Sequence, residues 1–492
     1  MISCDHESIL KGGLSMTKTV AYFTDRNIEK EQLKNFFQQN NPISKKVLEI
    51  NGMYGIGKSQ MLKWAFSKYY PSDITCAFYN FKFSSPEQTQ FLDMLRWVAM
   101  SNNKQCPEPY YSDFINLADN AQNDAHIDES NIRTIAESFN NCLSNNLGTR
   151  PVFLFYDTTE SAHPKTIQIL NDYILSKHIE RTSIKFAFSG EKPLKWNSED
   201  IRKRRRSLFL ETFDAHEMRE LIEKILDQEI KIEIPEACIE FCQYLSGGNP
   251  GILKSCFDFL AEQFSDSQLQ WHEDTCRALV SHVFQIFIAD KIIAKLRFDE
   301  NFDTYKLITH IAMLRKIDLF PFKSIIANYF QKPFSEKSAR YYDYLLNQIF
   351  TQSNLFKKIE FTPGYRLNKC LRRINQMNVL LNNQSKFYLM KERIQDYYYQ
   401  RISFLFGLDQ ISAICEYLFI KYALIPKSLP IPISRPTDVT SELNLLIEQT
   451  QPDISNVDDV DFNFRQDSHE IAIKQAIEAD EELQSYFKKE IL

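Results

Sequence analysis

Residues 47–59 read Val47-Leu48-Glu49-Ile50-Asn51-Gly52-Met53-Tyr54-Gly55-Ile56-Gly57-Lys58-Ser59. A short apolar run leads into the pattern G-x-x-x-x-G-K-S, and Met61, Leu62, Trp64, Ala65 and Phe66 follow at helical spacing. Strand, glycine-rich loop and helix in that order is the context a phosphate-binding loop needs. Gly52, Gly55 and Gly57 let the backbone wrap closely round a polyphosphate, and the helix N-terminus adds partial positive charge. In such a loop Lys58 reaches the β- and γ-phosphates and the Ser59 hydroxyl ligates Mg²⁺. Gln60 completes the nucleotide-binding stretch.

A second stretch supplies the acids. Residues 151–160 read Pro151-Val152-Phe153-Leu154-Phe155-Tyr156-Asp157-Thr158-Thr159-Glu160. A fully apolar run ending in an acid is the pattern of a parallel strand buried on both faces, its C-terminal end opening onto a site. Asp157 is placed to hold the Mg²⁺ water shell, the Walker B role, and Glu160 to orient or deprotonate an attacking water. Further strands are read at Asp73–Phe83 and Ser183–Phe188. Helices are read at Phe91–Met100, Ile132–Leu143 and Thr166–Leu175. Residues 101–130, polar and rich in Asn, Asp, Pro and Tyr, read as a surface loop. The alternation predicts an α/β P-loop NTPase fold, a parallel sheet of four or five strands with helices on both faces.

The totals narrow the class. At 492 residues the chain is too long for a single core, and 43% hydrophobic with 25% charged residues is ordinary globular composition. A net charge of -6 argues against a protein built to coat nucleic acid. With no apolar run long enough for a bilayer and no secretory h-region, a cytoplasmic protein without a membrane partner is expected. The 10 cysteines include no C-x-x-C and read as reduced, buried thiols rather than metal ligands. Of the 12 glycines, six lie in just two places, the loop at 52–57 and Gly247-Gly248-Asn249-Pro250-Gly251. That makes the second cluster a candidate part of the same site.

Beyond the sheet, Arg202-Lys203-Arg204-Arg205-Arg206 is the densest positive run. It reads as a phosphate or nucleic-acid contact, an arginine donated to a neighbouring subunit, or a solvated helix end. Leu208-Phe209-Leu210 reads as a short strand. Asp214 with Glu217 forms a capping box that opens a helix through Met218, Leu221, Ile222 and Ile225. Helices Pro235–Leu245 and Ile252–Phe264 flank the second glycine cluster.

Taken in order, these motifs resemble the STAND class of P-loop ATPases, AAA+ relatives that include the NB-ARC and NACHT groups. Tyr22 to Arg26 is similar to the class's F-x-x-R entry, which implies that Arg26 lies near the nucleotide base. Asp157-Thr158-Thr159-Glu160 resembles the D-T-x-E form of Walker B. Ser189 to Trp196 resembles A-G-R-x-P-L-x-W, with Glu191 at the position of the family's γ-phosphate-sensing arginine. Leu210 to Glu217 resembles the L-x-x-F-x-x-x-E start of a helical lid. Gly248-Asn249-Pro250 matches the lid's G-x-P, which implies that Pro250 packs on the adenine. The resemblance spans roughly residues 20–265 and extends weakly to about 425. Leu367-Asn368-Lys369 stand where some relatives carry Met-His-Asp to hold ADP, with Asn368 able to donate a hydrogen bond.

The expected organisation is a flexible segment 1–20, a P-loop NTPase domain 21–206, a helical lid 207–290 and a winged-helix-like domain 291–380. A C-terminal helical region follows at 381–425, then a Pro-rich linker and acidic tail at 426–492. Within 291–380, helices are read at Tyr305–Leu314, Ser324–Phe330 and Ala339–Phe350, with a strand at Lys358–Phe361. The tyrosine- and phenylalanine-rich stretch Phe387–Ala423 reads as the first units of a helical repeat. From residue 430 onward 14 acidic residues face 5 basic ones, a docking segment or a solubilising end, with a helix read over Glu470–Lys488.

These readings converge on an ATP/ADP- and Mg²⁺-binding, slowly hydrolysing switch. Lys58, Asp157 and Glu160 carry the chemistry, and Ser59 with Asp157 holds the metal. Arg26, Gly52, Gly55, Gly57, Lys58, Ser59, Gln60 and Pro250 hold the nucleotide. The absence of N-K-x-D favours ATP over GTP. Nucleotide-dependent self-assembly, or a separate effector protein, is the expected output, in bacterial antiviral defence or signalling. Two rivals stand beside it. An AAA+ DNA loader calls for Asp-Glu in Walker B, where this chain has Asp157-Thr158, so nucleic acid is the less favoured partner. A non-hydrolysing, nucleotide-binding structural subunit is the other.

Overall fold

In a computed structural model, the five strand segments of residues 47–209 lie side by side. They are β1 (Val47–Asn51), β2 (Thr75–Asn80), β3 (Val152–Asp157), β4 (Ile184–Gly190) and β5 (Arg205–Phe209), all parallel in the order β2-β3-β4-β1-β5. The structure describes residues 26–39, 44–70, 73–83, 89–106, 108–122, 129–148, 150–181, 183–228, 230, 232–264, 269–290, 304–327, 338–352, 356–358, 364–431, 439–449 and 471–477. The Tyr22–Asp25 part of the entry motif therefore lies outside the described residues, as does most of the acidic tail. The chain divides into two compact units, Met1–Gln228 and Glu229–Leu492.

Both faces of the sheet are apolar, which is why its strands read as unbroken hydrophobic runs. Leu48, Ile50, Phe153, Phe155 and Ala187 point to one side, where α1 (Asn27–Gln38) and α2 (Lys58–Tyr69) cover them with Phe36, Phe37, Met61 and Leu62. Val47, Leu154, Tyr156, Phe186 and Phe188 point to the other. There α3 (Gln90–Asn103), α4 (Ser112–Gln122), α5 (Glu129–Leu147) and α6 (Pro164–Ile169, continued by a π-helix Leu170–Leu175) close the core. The α/β P-loop fold with helices on both faces is thus the observed one.

Two expectations are corrected. Residues 101–130 are not a surface loop throughout: α4 lies inside them, and Tyr111 and Phe114 are fully buried. The polar residues around them serve the core, since Asn102 and Asn146 both donate to the Tyr111 hydroxyl, at 3.1 and 3.3 Å. Their polarity marks side chains that hydrogen-bond within the core rather than exposure. The last strand begins at Arg205, not Leu208. Arg202 and Lys203 end the short helix α7 (Glu199–Lys203), and Arg205 lies 3.7 Å from the carboxylate of Glu49. Charge is tolerated there because β5 is an edge strand, and charged side chains also discourage edge-to-edge pairing.

After β5 the capping box forms as read. Asp214 Oδ1 accepts from the Glu217 N–H at 2.8 Å, and Glu217 Oε2 accepts from the Asp214 N–H at 2.9 Å, opening α8 (Ala215–Gln228). In the second unit, α9 (Glu236–Ser246) and α10 (Pro250–Gln263) flank the Gly247–Asn249 turn, and α11 (Glu273–Phe284) follows. Asn249 is fully buried and caps α10, its Oδ1 accepting from Gly251 and Ile252 N–H groups at 3.0 and 3.2 Å.

Next come α12 (Thr304–Ile311), a short turn α13 (Leu319–Pro321) running into a π-helix Phe322–Ala327, and α14 (Ala339–Gln352). A hairpin of β6 (Phe356–Lys358) and β7 (Tyr365–Leu367) follows, with Ile317 bridging to Tyr365. The strand expected at Lys358–Phe361 thus begins earlier, at Phe356, and residues 359–363 lie outside the described ones. Then come α15 (Lys369–Asn382), α16 (Gln384–Ile402), α17 (Gly407–Leu418, continued by a π-helix Phe419–Ala423) and α18 (Val439–Gln449), and residues 471–477, within the helix expected over Glu470–Lys488, are helical. No helix among the described residues is long and apolar enough to cross a membrane. The cysteines among them are free thiols, nearly all buried.

One buried cation gives the first unit a pH signature. Lys185 in β4 donates to Gln39 O at 2.6 Å and Lys45 O at 3.1 Å, and its Nζ lies 4.9 Å from the Phe36 ring centre. Burial, and then the neighbouring Lys46 charge, lower its pKa to about 7, whereas an unfolded lysine titrates near about 10.4. Between these values the unfolded chain binds more protons than the folded one. Stability therefore rises with pH across roughly pH 7 to 10. Lys185→Met is expected to remove one proton's share of that slope. Urea midpoints for both proteins across this window test it, and parallel curves would refute it.

Candidate functional site

The C-terminal ends of parallel strands fall on one edge of a sheet, and a ligand crevice opens where neighbouring connections diverge. Here register brings Asn80 opposite Asp157, Tyr156 opposite Phe188, and Asn51 opposite Gly190. The phosphate loop leaves this edge from β1, which lies between β4 and the edge strand β5. Gly52, Gly55 and Gly57 all take positive φ, at 153°, 79° and 100°, a region open to glycine and costly for other residues. A Cβ on Gly52 would also meet Leu210 O at 2.8 Å. Gly57 forms the N-cap of α2, so Lys58 and Ser59 begin the helix.

Lys58 is buried, and its Nζ donates to the carbonyls of Gly52 and Met53 at 2.9 and 2.8 Å. The amine thus lies within the curl of the loop. Ser59 Oγ donates to Asp157 Oδ1 at 2.8 Å. The same carboxylate accepts from Ser189 Oγ, from the Thr158 N–H at 2.9 Å, and from Asn80 Nδ2 at 3.3 Å. Gln60 Oε1 is buried without a hydrogen-bond partner among the described residues.

Beyond Asp157 the chain turns sharply. Thr158 takes φ 60°, ψ 48°, strained for a β-branched residue. A 3₁₀ turn, Thr159–Ser161, then carries Glu160 beside the end of β4. Glu160 Oε2 accepts from the Glu191 N–H at 3.3 Å. Its side chain reaches solvent, yet crowding by surrounding protein, and then the nearby Glu191 carboxylate, push its pKa above the ordinary carboxylate range. Gly190 makes the close approach possible, because a Cβ there would lie 2.0 Å from Thr159 Oγ1 and 3.4 Å from Glu160 Oε2.

Arg26 sits on the other side of the loop, almost wholly buried. Its guanidinium donates to Ile56 O at 3.2 Å and Glu211 O at 2.6 Å, pairs with Glu29 at 3.0 Å, and stacks 4.6 Å from the Phe213 ring centre. It therefore ties α1, the phosphate loop and the approach to α8 together. Trp196 donates its indole N–H to Glu49, a carboxylate buried in β1. Asn368 caps α15, its Oδ1 accepting from the Cys370 N–H at 3.1 Å.

The first unit thus brings together Lys58, Ser59, Asp157 and Glu160, with Arg26 behind the loop. Pro250 belongs to the second unit, at the first turn of α10. Sequence reading missed Asn80, and read Ser189 and Gly190 only as the start of the Ser189–Trp196 motif, with no role at Asp157 or Glu160. Their signal was available: each is a polar or small residue ending an apolar strand, and parallel pairing gathers such ends.

The family model of nephrocystin 3, N-terminal, matches residues 25–190, a segment that holds both the loop and Asp157. It fits the STAND-class P-loop ATPase resemblance of the motifs. No curated protein matches the chain. Among solved structures, the chain is similar to the Walker-type ATPase of Pyrococcus abyssi, with 12% identity and a TM-score of 0.46 over 72% of this chain and 95% of that one. It is similar to Cdc6p of Pyrobaculum aerophilum, with 11% identity and a TM-score of 0.37 over 75% and 94%. A STAND protein with a tetratricopeptide repeat sensor from Pyrococcus horikoshii aligns at 14% identity and a TM-score of 0.30, over 95% and 64%.

The Gly190 contact generates a test. Gly190→Ala is expected to push Thr159 and Glu160 outward while leaving the phosphate loop intact. Any nucleotide turnover should fall by about 100-fold, the scale of a misplaced reacting group, with nucleotide affinity unchanged. Single-turnover rates and equilibrium binding on the same protein check this, and unaltered turnover would show that the approach is not needed.

Proposed function

We infer that the chain is an ATP-binding, slowly hydrolysing molecular switch of the STAND type, whose nucleotide state controls domain opening and then self-assembly or partner binding. The observation that carries this reading is the Ser59–Asp157 contact at 2.8 Å, at the mouth of a glycine loop that already curls round Lys58. The donor set fits the ligand. A hydroxyl and a carboxylate oxygen side by side are hard donors of the kind Mg²⁺ takes, and the loop conformation is one that side chains would block. When bound, ATP with Mg²⁺ supplies the electrophilic γ-phosphorus.

In this reading Lys58 moves from the loop carbonyls to phosphate oxygens, an exchange of neutral acceptors for charged ones that strengthens each hydrogen bond. Ser59 and Asp157 hold the cation, with Asn80 and Ser189 keeping the Asp157 carboxylate in place. Glu160 accepts a proton from the attacking water, for which it must first be ionised. Its raised pKa moves the acid limb of turnover to higher pH than an ordinary carboxylate gives. Gly52, Gly55, Gly57, Ser59 and Gln60 would line the phosphates, with Arg26 on the base side of the loop. The lid at 207–290 and the winged-helix-like domain at 291–380 are the elements that nucleotide exchange would reposition.

A second reading, a nucleotide-binding subunit that does not hydrolyse, is favoured by one observation. Glu191 stands where the resemblance implies a γ-phosphate-sensing arginine, and it adds negative charge beside Glu160.

Two outcomes are expected. Lys58→Ala weakens ATP binding by at least about tenfold, the worth of a charge-assisted contact. Glu160→Gln keeps binding but lowers turnover by about 100-fold or more. A multiple-turnover assay in which neither wild type nor Glu160→Gln releases phosphate, while both bind ATP, would leave the non-hydrolysing subunit. Light scattering with a non-hydrolysable ATP analogue should give a larger particle, or a more open shape, than with ADP; identical size and shape in every nucleotide state would sink the switch.

A further inference from the structure

The parallel sheet of the first unit has two edge strands, β2 and β5, and they are finished differently. Side chains close the outer edge of β2. Gln105 accepts from the Cys76 N–H at 2.9 Å and donates to the Cys76 carbonyl at 2.6 Å, and the Trp97 indole donates to Phe78 O at 2.8 Å. The outer edge of β5 has no such cover. Val47 N–H donates to Arg204 O at 3.2 Å and Leu210 N–H to Asn51 O at 2.8 Å, so the even-numbered residues of this stretch face β1. Alternation along a strand then turns the N–H and C=O groups of Arg205, Ser207 and Phe209 outward. On that side these groups have no hydrogen-bond partner among the described residues. Ser207 is exposed, and the Phe209 side chain is 59% exposed.

A row of unpaired N–H and C=O groups is a template for another strand. We infer that β5 is an interface for a second copy of this chain, the two strands pairing antiparallel about a two-fold axis at Ser207. The edge is self-complementary in that register. Ser207 lies opposite Ser207 of the second copy, and Arg205 opposite Phe209 of the second copy, twice over. All three are outward residues, so the pairs exchange about six backbone hydrogen bonds. Each Arg205 guanidinium meets an aromatic ring, a favourable cross-strand neighbour, and each Phe209 loses its exposure.

The arginines select this register against others. A slip of one residue either way leaves only two of the three pairs within the strands. The slip toward the N-terminus also sets Arg206 against Arg206, and like charges directly opposite destabilise a sheet. A foreign strand would need its own match to this spacing, whereas a second copy supplies it by symmetry. The edge is only five residues long, which buries less than the roughly 800 Å² a side of a standard interface. The dimer is therefore a weak one that forms as concentration rises. It requires no nucleotide and does not rest on the switch reading.

Sedimentation velocity on the full chain without nucleotide, over rising concentration, is expected to show a monomer–dimer equilibrium that Lys58→Ala leaves unchanged. Ser207→Pro removes an outward N–H that β1 does not use, a change an edge strand tolerates. Phe209→Arg, at an exposed position, opposes two arginines. Each should raise the dissociation constant by about tenfold or more, while Phe209→Glu, which offers Arg205 a carboxylate, should keep the dimer or tighten it. The register has its own readout. Opposed Cα atoms of a hydrogen-bonded pair lie about 5.5 Å apart, within disulfide reach, so Ser207→Cys should cross-link to a dimer under diamide. Wild type and Arg205→Cys should not. A chain that stays monomeric to about millimolar concentration and gives no Ser207→Cys cross-link overturns the proposal, as does a dimer that survives Phe209→Arg. Equal cross-linking through Arg205→Cys, or equal losses in Phe209→Arg and Phe209→Glu, would overturn the register.

Discussion

The carboxylate of Asp157 is the point on which the first unit's site depends. It accepts from Ser59, Ser189, Asn80 and the Thr158 N–H, which come from the loop helix, from two neighbouring strands and from its own turn. A buried carboxylate is costly unless several donors offset its lost hydration. Those donors exist here only because a parallel sheet delivers all its strand ends to one edge. Shift β2 or β4 by one residue and Asn80 or Ser189 turns to the opposite face. Sheet register and site geometry are therefore the same constraint, and the apolar residues that fix the register are what hold the carboxylate in place.

Close packing round Asp157 has a local cost and a local use. Thr158 sits in the left-handed region and Gly190 leaves no room for a methyl group. Together they lay the 3₁₀ turn against the end of β4, where the Glu191 N–H meets the Glu160 carboxylate. A backbone donor steadies that side chain, while crowding and a like charge disfavour its ionised form.

Polar groups organise the second unit as well. Arg315 and Glu416 form a buried ion pair, with contacts of 2.8 and 3.0 Å, and Arg315 and Arg372 both approach the Phe419 ring. A buried pair of this kind adds little net stability, but losing one partner strands a charge in the interior. At the C-terminus of α9, a Cβ on Gly247 would lie 3.0 Å from the Cys370 backbone, so the glycine turn before Pro250 lies directly against α15.

The sequence by itself determined the loop, its helix and the α/β class, because these are written in local signals. Spaced glycines, a lysine at a helix start and apolar runs ended by acids have one low-energy arrangement each. The capping box at Asp214 and Glu217 was legible for the same reason, its partners being three residues apart. Asn80, Ser189 and Gly190 carried only the weaker sign of a polar or small residue ending an apolar strand, since each acts through a residue dozens of positions away. Residues 101–130 misled because Asn102 looks solvent-exposed until the Tyr111 hydroxyl it serves is brought against it. Arg26 carried a motif, but its grip on Ile56 and Glu211 needed the folded chain. Tertiary structure decided these points because pairing across the sheet, unlike a turn or a cap, joins residues that local pattern cannot relate.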